Sequence, residues 1–257
     1  MNIASKQFKA LHQQTEPLLL GNVWDVKSAV IFEKQQYKAI ATSSMALAET
    51  LGYQDGEQMP FDEYLLIIKR IKASTSIPLS VDLEAGYSET EEAIVKNIKQ
   101  LHDLDIAGIN IEDSVVNSSG RAILNAEAFA QKLKGITTRL KAIGIDIFIN
   151  VRCDAFLLGL PNACDEAVSR IKLYEKSGAN GIFLPCITAI PDIKTTVNCT
   201  GLPVNVMCMP GLPDFEVLSS LGVKRISMGS FFSGAVFKRA ETLAQNISRE
   251  KNFSSLF

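Results

Sequence analysis

The chain has 257 residues, 47% hydrophobic and 21% charged, with a formal net charge of −2. That is ample for a sizeable α/β core, and the near-balance of charge gives no case for nucleic acid as a partner. No apolar run approaches the roughly 20 residues of a membrane span, and the polar start lacks the basic and apolar regions of a signal peptide, which points to a cytoplasmic protein.

In chain order, short apolar runs that read as strands fall at 17–22, 38–43, 77–82, 107–112, 146–151, 181–185, 203–207 and 223–228. Amphipathic segments separate them. One carries Tyr64, Leu65, Ile68 and Ile71; the next carries Ile94, Ile98, Leu101 and Leu104, with Ser88 and Glu91 as a capping box. The clearest, 125–144, has Phe129, Leu133, Ile136, Leu140 and Ile143 on one face and Gly144 to stop it. Gly178 ends the helix bearing Ala167, Ile171 and Tyr174. Eight strand–helix units over 257 residues predict a single (β/α)8 barrel domain, followed from about 231 to 257 by a C-terminal helical segment. An open doubly wound sheet shares the alternation, but no G-x-G-x-x-G follows the first strand. The five cysteines form no C-x-x-C pair and read as reduced thiols. His12 and His102 are the only histidines, too few for a zinc site or a histidine-dependent triad.

In such a barrel the carboxyl ends of the strands form the active face. Those ends hold Asn22, Trp24 and Asp25; Ser43 and Ser44; Asp82 and Glu84; Glu112 and Asp113; Arg152 and Asp154; Asn205; and Gly229 with Ser230. Strand alternation puts Asp82 with Glu84, Asn110 with Glu112, and Asn150 with Arg152 and Asp154 on shared faces. Clustered carboxylates raise one another's pKa, and a divalent cation relieves the conflict; all-oxygen ligands favour Mg2+, with Mn2+ as the alternative. Arg152 then suits an anionic substrate group. Each element also has a plainer reading: Asp25 can cap a helix, and Arg152 can simply neutralise Asp154. Gly229 and Ser230 offer a weak phosphate-site signal that a helix cap explains equally well.

The motifs "TSS" (42–44), "LGYQDG" (51–56), "SVDLEAGY" (80–87), "GINIED" (108–113) and "VRCDAF" (151–156) resemble those of the isocitrate lyase/phosphoenolpyruvate mutase superfamily. The resemblance implies a Mg2+-binding barrel, usually a homotetramer that exchanges its last helix between subunits. It implies that Asp82, Glu84 and Glu112 bind the metal, some through water, and that Asp55 orders its outer shell. Ser43 and the Ser44 backbone would grip a substrate carboxylate, Arg152 would bind substrate, and Trp24 and Asp25 would be wall residues; substrate specificity would lie in the 114–121 loop and around Asn205 to Met209.

The departures bear on the reaction. Isocitrate and methylisocitrate lyases carry a K-K-C-G-H-type loop whose cysteine is an acid/base. Here "SVVNSSGR" (114–121) has neither lysine nor cysteine, and Asn117 is the stand-in for the loop asparagine of phosphoenolpyruvate mutases. Glu84 replaces a common aspartate and Ser44 a common glycine. The expected activity is a Mg2+-dependent carbon–carbon lyase acting on a small 2-oxo or 2-hydroxy di- or tricarboxylate through a pyruvate-enolate-like intermediate. The alternatives are carbon–phosphorus chemistry, as in phosphoenolpyruvate mutase or phosphonopyruvate hydrolase, and a weakened barrel kept as a ligand-binding or assembly subunit.

Overall fold

A computed structural model describes residues 3–257. The chain opens with helix α1 (Ile3–Leu11), strand pieces β1 (Leu18–Leu19) and β2 (Gly21–Val23), α2 (Val26–Lys34), β3 (Ile40–Thr42), α3 (Ser44–Thr50) and α4 (Phe61–Ala73). It continues through β4 (Leu79–Asp82), α5 (Glu91–Asp103), β5 (Gly108–Glu112), β6 (Ser114–Asn117), β7 (Gly120–Ile123), α6 (Ala126–Ala142) and β8 (Phe148–Arg152). Then come α7 (Ala163–Lys176), β9 (Gly181–Leu184), α8 (Ile190–Asn198), β10 (Val204–Met207), α9 (Phe215–Ser220), β11 (Arg225–Ser227) and α10 (Phe231–Glu250). All eight expected strands are present. The first is broken at Leu20: β1 pairs with β11 and β2 with β3, both in parallel, so one stretch joins the two edges of the sheet and closes the barrel.

The periodic stripes are the buried faces. Ile94, Ile98 and Leu101 of α5, and Phe129, Leu133, Ile136 and Leu140 of α6, lie in the main core. Two local expectations fail. Ile143 falls at the end of α6, where the chain leaves the core, and is 55% exposed. The N-cap of α5 is Thr90, whose hydroxyl accepts from the Ala93 N–H at 3.3 Å, while Ser88 receives only the Thr90 N–H.

Helix α1 plugs the amino end of the barrel. Phe8 meets Phe148 edge-on at 5.5 Å, and His12 stacks on Phe148 at 4.4 Å. Burial, and then the nearby Arg225 cation, push the His12 pKa down to about 3, so this imidazole is neutral and belongs to the packing. The 114–121 segment, expected to be a loop, is instead part of a hairpin: β6 and β7 pair antiparallel, with Val116 opposite Arg121 and Asn117 opposite Gly120.

Candidate active site

The carboxyl ends of the strands surround a cavity of about 380 Å3. Asp82 ends β4 and is held on every side. Its N–H donates to Thr42 Oγ1 at 2.8 Å and its carbonyl accepts from the Tyr64 hydroxyl at 2.7 Å. Its carboxylate accepts from Ser44 Oγ at 2.8 Å and, more weakly, from Asn110 Nδ2 at 3.4 Å. Ser43 caps α3 through the Ala46 N–H, which sets Ser44 at the first turn of that helix, against Asp82.

Glu84 lies past the strand, and its backbone is left-handed at φ +50°, as are Glu57 and Tyr87. Its two oxygens accept from the Glu57 N–H and the Tyr87 hydroxyl, each at 3.0 Å. Burial, with Asp55, Asp82 and Glu112 adding to it, pushes its pKa up to about 8. Glu112 ends β5, paired with Arg121 Nη1 and with Arg152 Nη1, the latter at 3.0 Å. The contact to Arg152 is an ion pair without an aligned hydrogen bond, which leaves Glu112 Oε2 short of a partner. Burial raises the Glu112 pKa despite both arginines. Arg152 forks onto Asp154 through Nε at 2.6 Å and Nη2 at 3.1 Å. Behind them Asp113 braces the strand ends rather than facing the cavity: it accepts from the Asp154 N–H, the Tyr174 hydroxyl and Arg170 Nη1.

Of the residues expected at the site, Asp55, Ser43, Ser44, Asp82 and Arg152 line the cavity together. Glu84 and Glu112 instead line a small adjoining void under the hairpin, with Gly56, Glu57 and Val116. Four expectations are corrected. Asp25 caps α2, accepting from the Ser28 N–H at 2.6 Å, and does not line the cavity. Trp24 does not line it either, but packs on Phe232 and Phe237 of α10. Asn205 is inside the barrel, donating to the Val206 carbonyl and Ser227 Oγ and accepting from Asn150 Nδ2. Asn117 is exposed at the hairpin turn, where Oδ1 accepts from the Ser119 N–H. Gly229 and Ser230 line the cavity, with the Met228 and Gly229 N–H groups already engaged, both donating to Asn22 Oδ1.

Sequence reasoning missed Arg121. The hairpin turns it inward, where Nη1 meets Glu112, Ser114 Oγ at 2.9 Å and Asp154 at 3.4 Å, and Nη2 meets Asp55 at 3.2 Å. An arginine following Ser-Ser-Gly in an alternating stretch was the available signal. Arg225 was missed as well. It is fully buried, it lines the cavity floor, and desolvation lowers its pKa to about 9.

The cavity, the adjoining void and the groups bracing them thus gather five carboxylates (Asp55, Asp82, Glu84, Glu112 and Asp154) and three guanidiniums (Arg121, Arg152 and Arg225); with all five acids ionised the excess is two negative charges, which one divalent cation would balance. Asp55 Oδ1 is buried without a hydrogen-bond partner, and burial followed by the Asp82 charge raises the Asp55 pKa. Among the described residues, no three His, Cys, Asp or Glu side chains converge tightly enough to chelate a bare ion. The donor set therefore fits a hydrated, hard cation held largely through water.

The sequence profile of the phosphoenolpyruvate phosphomutase family matches residues 8–248. An uncharacterised Mycobacterium tuberculosis protein is 31% identical over 241 residues, covering 94% of this chain and 88% of its own. The 2-methylisocitrate lyase of Escherichia coli is 24% identical, over 77% of this chain and 68% of its own. A Burkholderia cenocepacia crystal structure, provisionally described as a phosphonomutase, superposes with a TM-score of 0.89 at 32% identity, covering 95% of this chain and all of its own.

Proposed function

Since the chain belongs to the phosphoenolpyruvate mutase/isocitrate lyase superfamily, we propose that it is a Mg2+-dependent carbon–carbon lyase that cleaves or decarboxylates a small 2-oxo or 2-hydroxy acid. The observation that carries this reading is the meeting of Asp55 and Asp82 with the Arg152 guanidinium in one cavity, with Glu84 and Glu112 in the void adjoining it. Asp82 would hold the cation, with Asp55, Glu84 and Glu112 around it, some through water. The cation would supply electrostatic stabilisation to an oxygen on which negative charge develops. Mn2+ has the same ligand preference.

The chain's own groups do the remaining work. Arg152, held rigid by its fork onto Asp154, presents its cavity-facing side to a substrate carboxylate. Ser44 keeps Asp82 in one orientation, and Ser43 takes up the Ala46 N–H at the start of α3, which leaves the Ser44 and Met45 amides to suit the adjacent substrate oxygens. Arg121 seals the cavity on the hairpin side and limits the approach of water. Among the described residues lining the cavity there is no cysteine, lysine or histidine. That favours bond cleavage whose leaving fragment needs no proton from the protein, such as loss of CO2 from the carbon next to a 2-oxo group, the enolate left behind taking its proton from water.

The test is a panel of 2-oxo and 2-hydroxy di- and tricarboxylates, with phosphonopyruvate included, assayed with Mg2+ for pyruvate, glyoxylate, succinate, CO2 and phosphate. Carbon–carbon cleavage abolished by Asp82→Ala and by Arg152→Ala is expected. Phosphate release alone would move the protein to carbon–phosphorus chemistry. Oxalate and Mg2+ binding without any turnover would leave a ligand-binding barrel.

A further inference from the structure

Three guanidiniums line the cavity, and they are not equally satisfied. Arg152 forks onto Asp154 and meets Glu112, and Arg121 meets Glu112, Asp154 and Asp55. Arg225 has no such partner. Among the described residues its side chain makes one hydrogen bond, a long one from Nη2 to Asn110 Oδ1 at 3.4 Å, while Nε and Nη1 are buried with none. The amides around it are already engaged: Asn150 Nδ2 donates to both Asn110 and Asn205, and Asn205 Nδ2 donates to Ser227 Oγ. Asn110 also stands between Arg225 and Asp82, donating weakly to the acid while its Oδ1 receives the guanidinium. Arg152, Phe183, Asn205 and Arg225 form one register row across four strands, yet Arg152 ends β8 and Arg225 begins β11. The stagger of the barrel therefore sinks Arg225 to the floor, where its guanidinium carbon lies 5.7 Å from the centre of the Phe8 ring of α1. Burial lowers its pKa to about 9, which leaves it charged at neutral pH. A buried cation accompanied only by amides and one ring face is costly, and an anion relieves that cost.

We infer that Arg225 is an anion subsite at the floor of the cavity, distinct from Arg152 at its mouth, and that it takes a single carboxylate- or halide-sized anion. That anion has two possible sources: a free ion, or the far carboxylate of an acid whose reacting end lies at Asp82 and Arg152. Only the second source rests on the reading of the cavity as a site for 2-oxo or 2-hydroxy acids. The space suffices for either. At about 30 Å3 per water, a cavity of about 380 Å3 holds roughly a dozen waters, and a five-carbon acid with a carboxylate at each end has about ten heavy atoms.

The experiment has two arms, both on the intact protein with Mg2+ present. In the first, crystals are soaked in bromide, whose anomalous scattering locates the ion. In the second, calorimetry compares 2-oxoglutarate with 2-oxohexanoate, acids of similar length that differ in the end carboxylate. Bromide bound at the Arg225 guanidinium, with the two acids binding alike, would assign the subsite to a free anion. A preference for 2-oxoglutarate of at least about tenfold in the wild type, lost in Arg225→Met, would assign it to the far carboxylate. If that variant does not fold, a wild-type crystal with 2-oxoglutarate takes its place: the end carboxylate on Arg225 supports the assignment, and on another residue counts against it. If neither acid binds, the reading of the cavity as a 2-oxo acid site fails, and the bromide arm alone decides the subsite. No bromide at Arg225 would overturn the inference if the two acids bind alike, or if the preference survives in Arg225→Met.

Discussion

Glu84 gives the most direct physical test of the acid cluster. Folding takes this carboxyl from its ordinary pKa of 4.5 to about 8, first through burial and then through three neighbouring acids. A raised carboxyl means that the native state binds more protons than the unfolded chain between those two values, so stability falls as pH rises through that window. At 1.36 kcal/mol per pH unit, Glu84 alone removes roughly 5 kcal/mol between pH 4.5 and 8. Asp55 and Glu112 are shifted in the same direction and add to the loss. Urea unfolding in the presence of chelator at pH 5, 6, 7 and 8 should therefore show a steady decline for the wild type. Glu84→Gln should flatten it, because an amide carries no charge yet still accepts from the Glu57 N–H and can donate to the Tyr87 hydroxyl. Added Mg2+ should restore stability at pH 8, since a cation favours the ionised acids. A wild type equally stable at pH 5 and pH 8, or a Glu84→Gln variant that declines in parallel with it, would refute the reasoning.

Other consequences follow from the neighbouring groups. Arg121→Met strands Glu112 and Asp55 and should cost about 3 kcal/mol in urea unfolding; adding Glu112→Gln should return much of it, and strictly additive losses would show that the pair is not coupled. Gly56→Ala has a left-handed backbone to satisfy at φ +93° and a Cβ that would sit 2.6 Å from the Val116 Cβ. It should lower stability by about 1–3 kcal/mol and speed amide hydrogen exchange across residues 114–123, and unchanged exchange there would mean that the hairpin is not seated on this glycine. Arg152→Lys loses the fork onto Asp154, so oxalate affinity should drop at least tenfold, roughly 1.4 kcal/mol, by calorimetry; an unchanged Kd would remove Arg152 from substrate binding.

The barrel was legible because its strands are continuous apolar runs and its helices carry single stripes, the two signals least sensitive to tertiary detail. At the site, alternation held while the chain remained in a strand: Asn110 with Glu112 and Asn150 with Arg152 were placed on shared faces, and the paired strands set them side by side. It lost its meaning beyond the strand. Glu84 sits on a left-handed residue two places past the end of β4, where parity no longer sets direction. Asn205 lies within β10 rather than at its end, and the stagger of the barrel, invisible in a single strand, places its amide in the interior. Asp25 was decided by the Ser28 N–H three residues on, a local cap that outweighed any role at the mouth. Arg121 depended on two facts together, that 114–123 pairs as a hairpin and that the hairpin folds over Asp55.

The methylene by which Glu84 exceeds an aspartate acquires a structural meaning from its partners. Left-handed backbones at Glu57, Glu84 and Tyr87 are each unfavourable by about 1 kcal/mol or more, and they persist only where surrounding bonds fix them. Those bonds form a closed clasp: the Glu57 N–H and the Tyr87 hydroxyl donate to the Glu84 carboxyl, and the Tyr87 N–H donates to Glu57 at 2.6 Å. The clasp ties the connection after β4 to the 55–57 segment. That segment carries Asp55 into the cavity and offers Gly56 as the seat for Val116 of the hairpin. The hairpin in turn delivers Arg121 to Asp55, Glu112 and Asp154. Glu84 therefore governs where the cluster's other acids and its hairpin arginine sit, in addition to contributing its own charge. A shorter side chain would have to give up one of its two donors, and the loop carrying Asp55 would lose its tie to the strand that ends in Asp82.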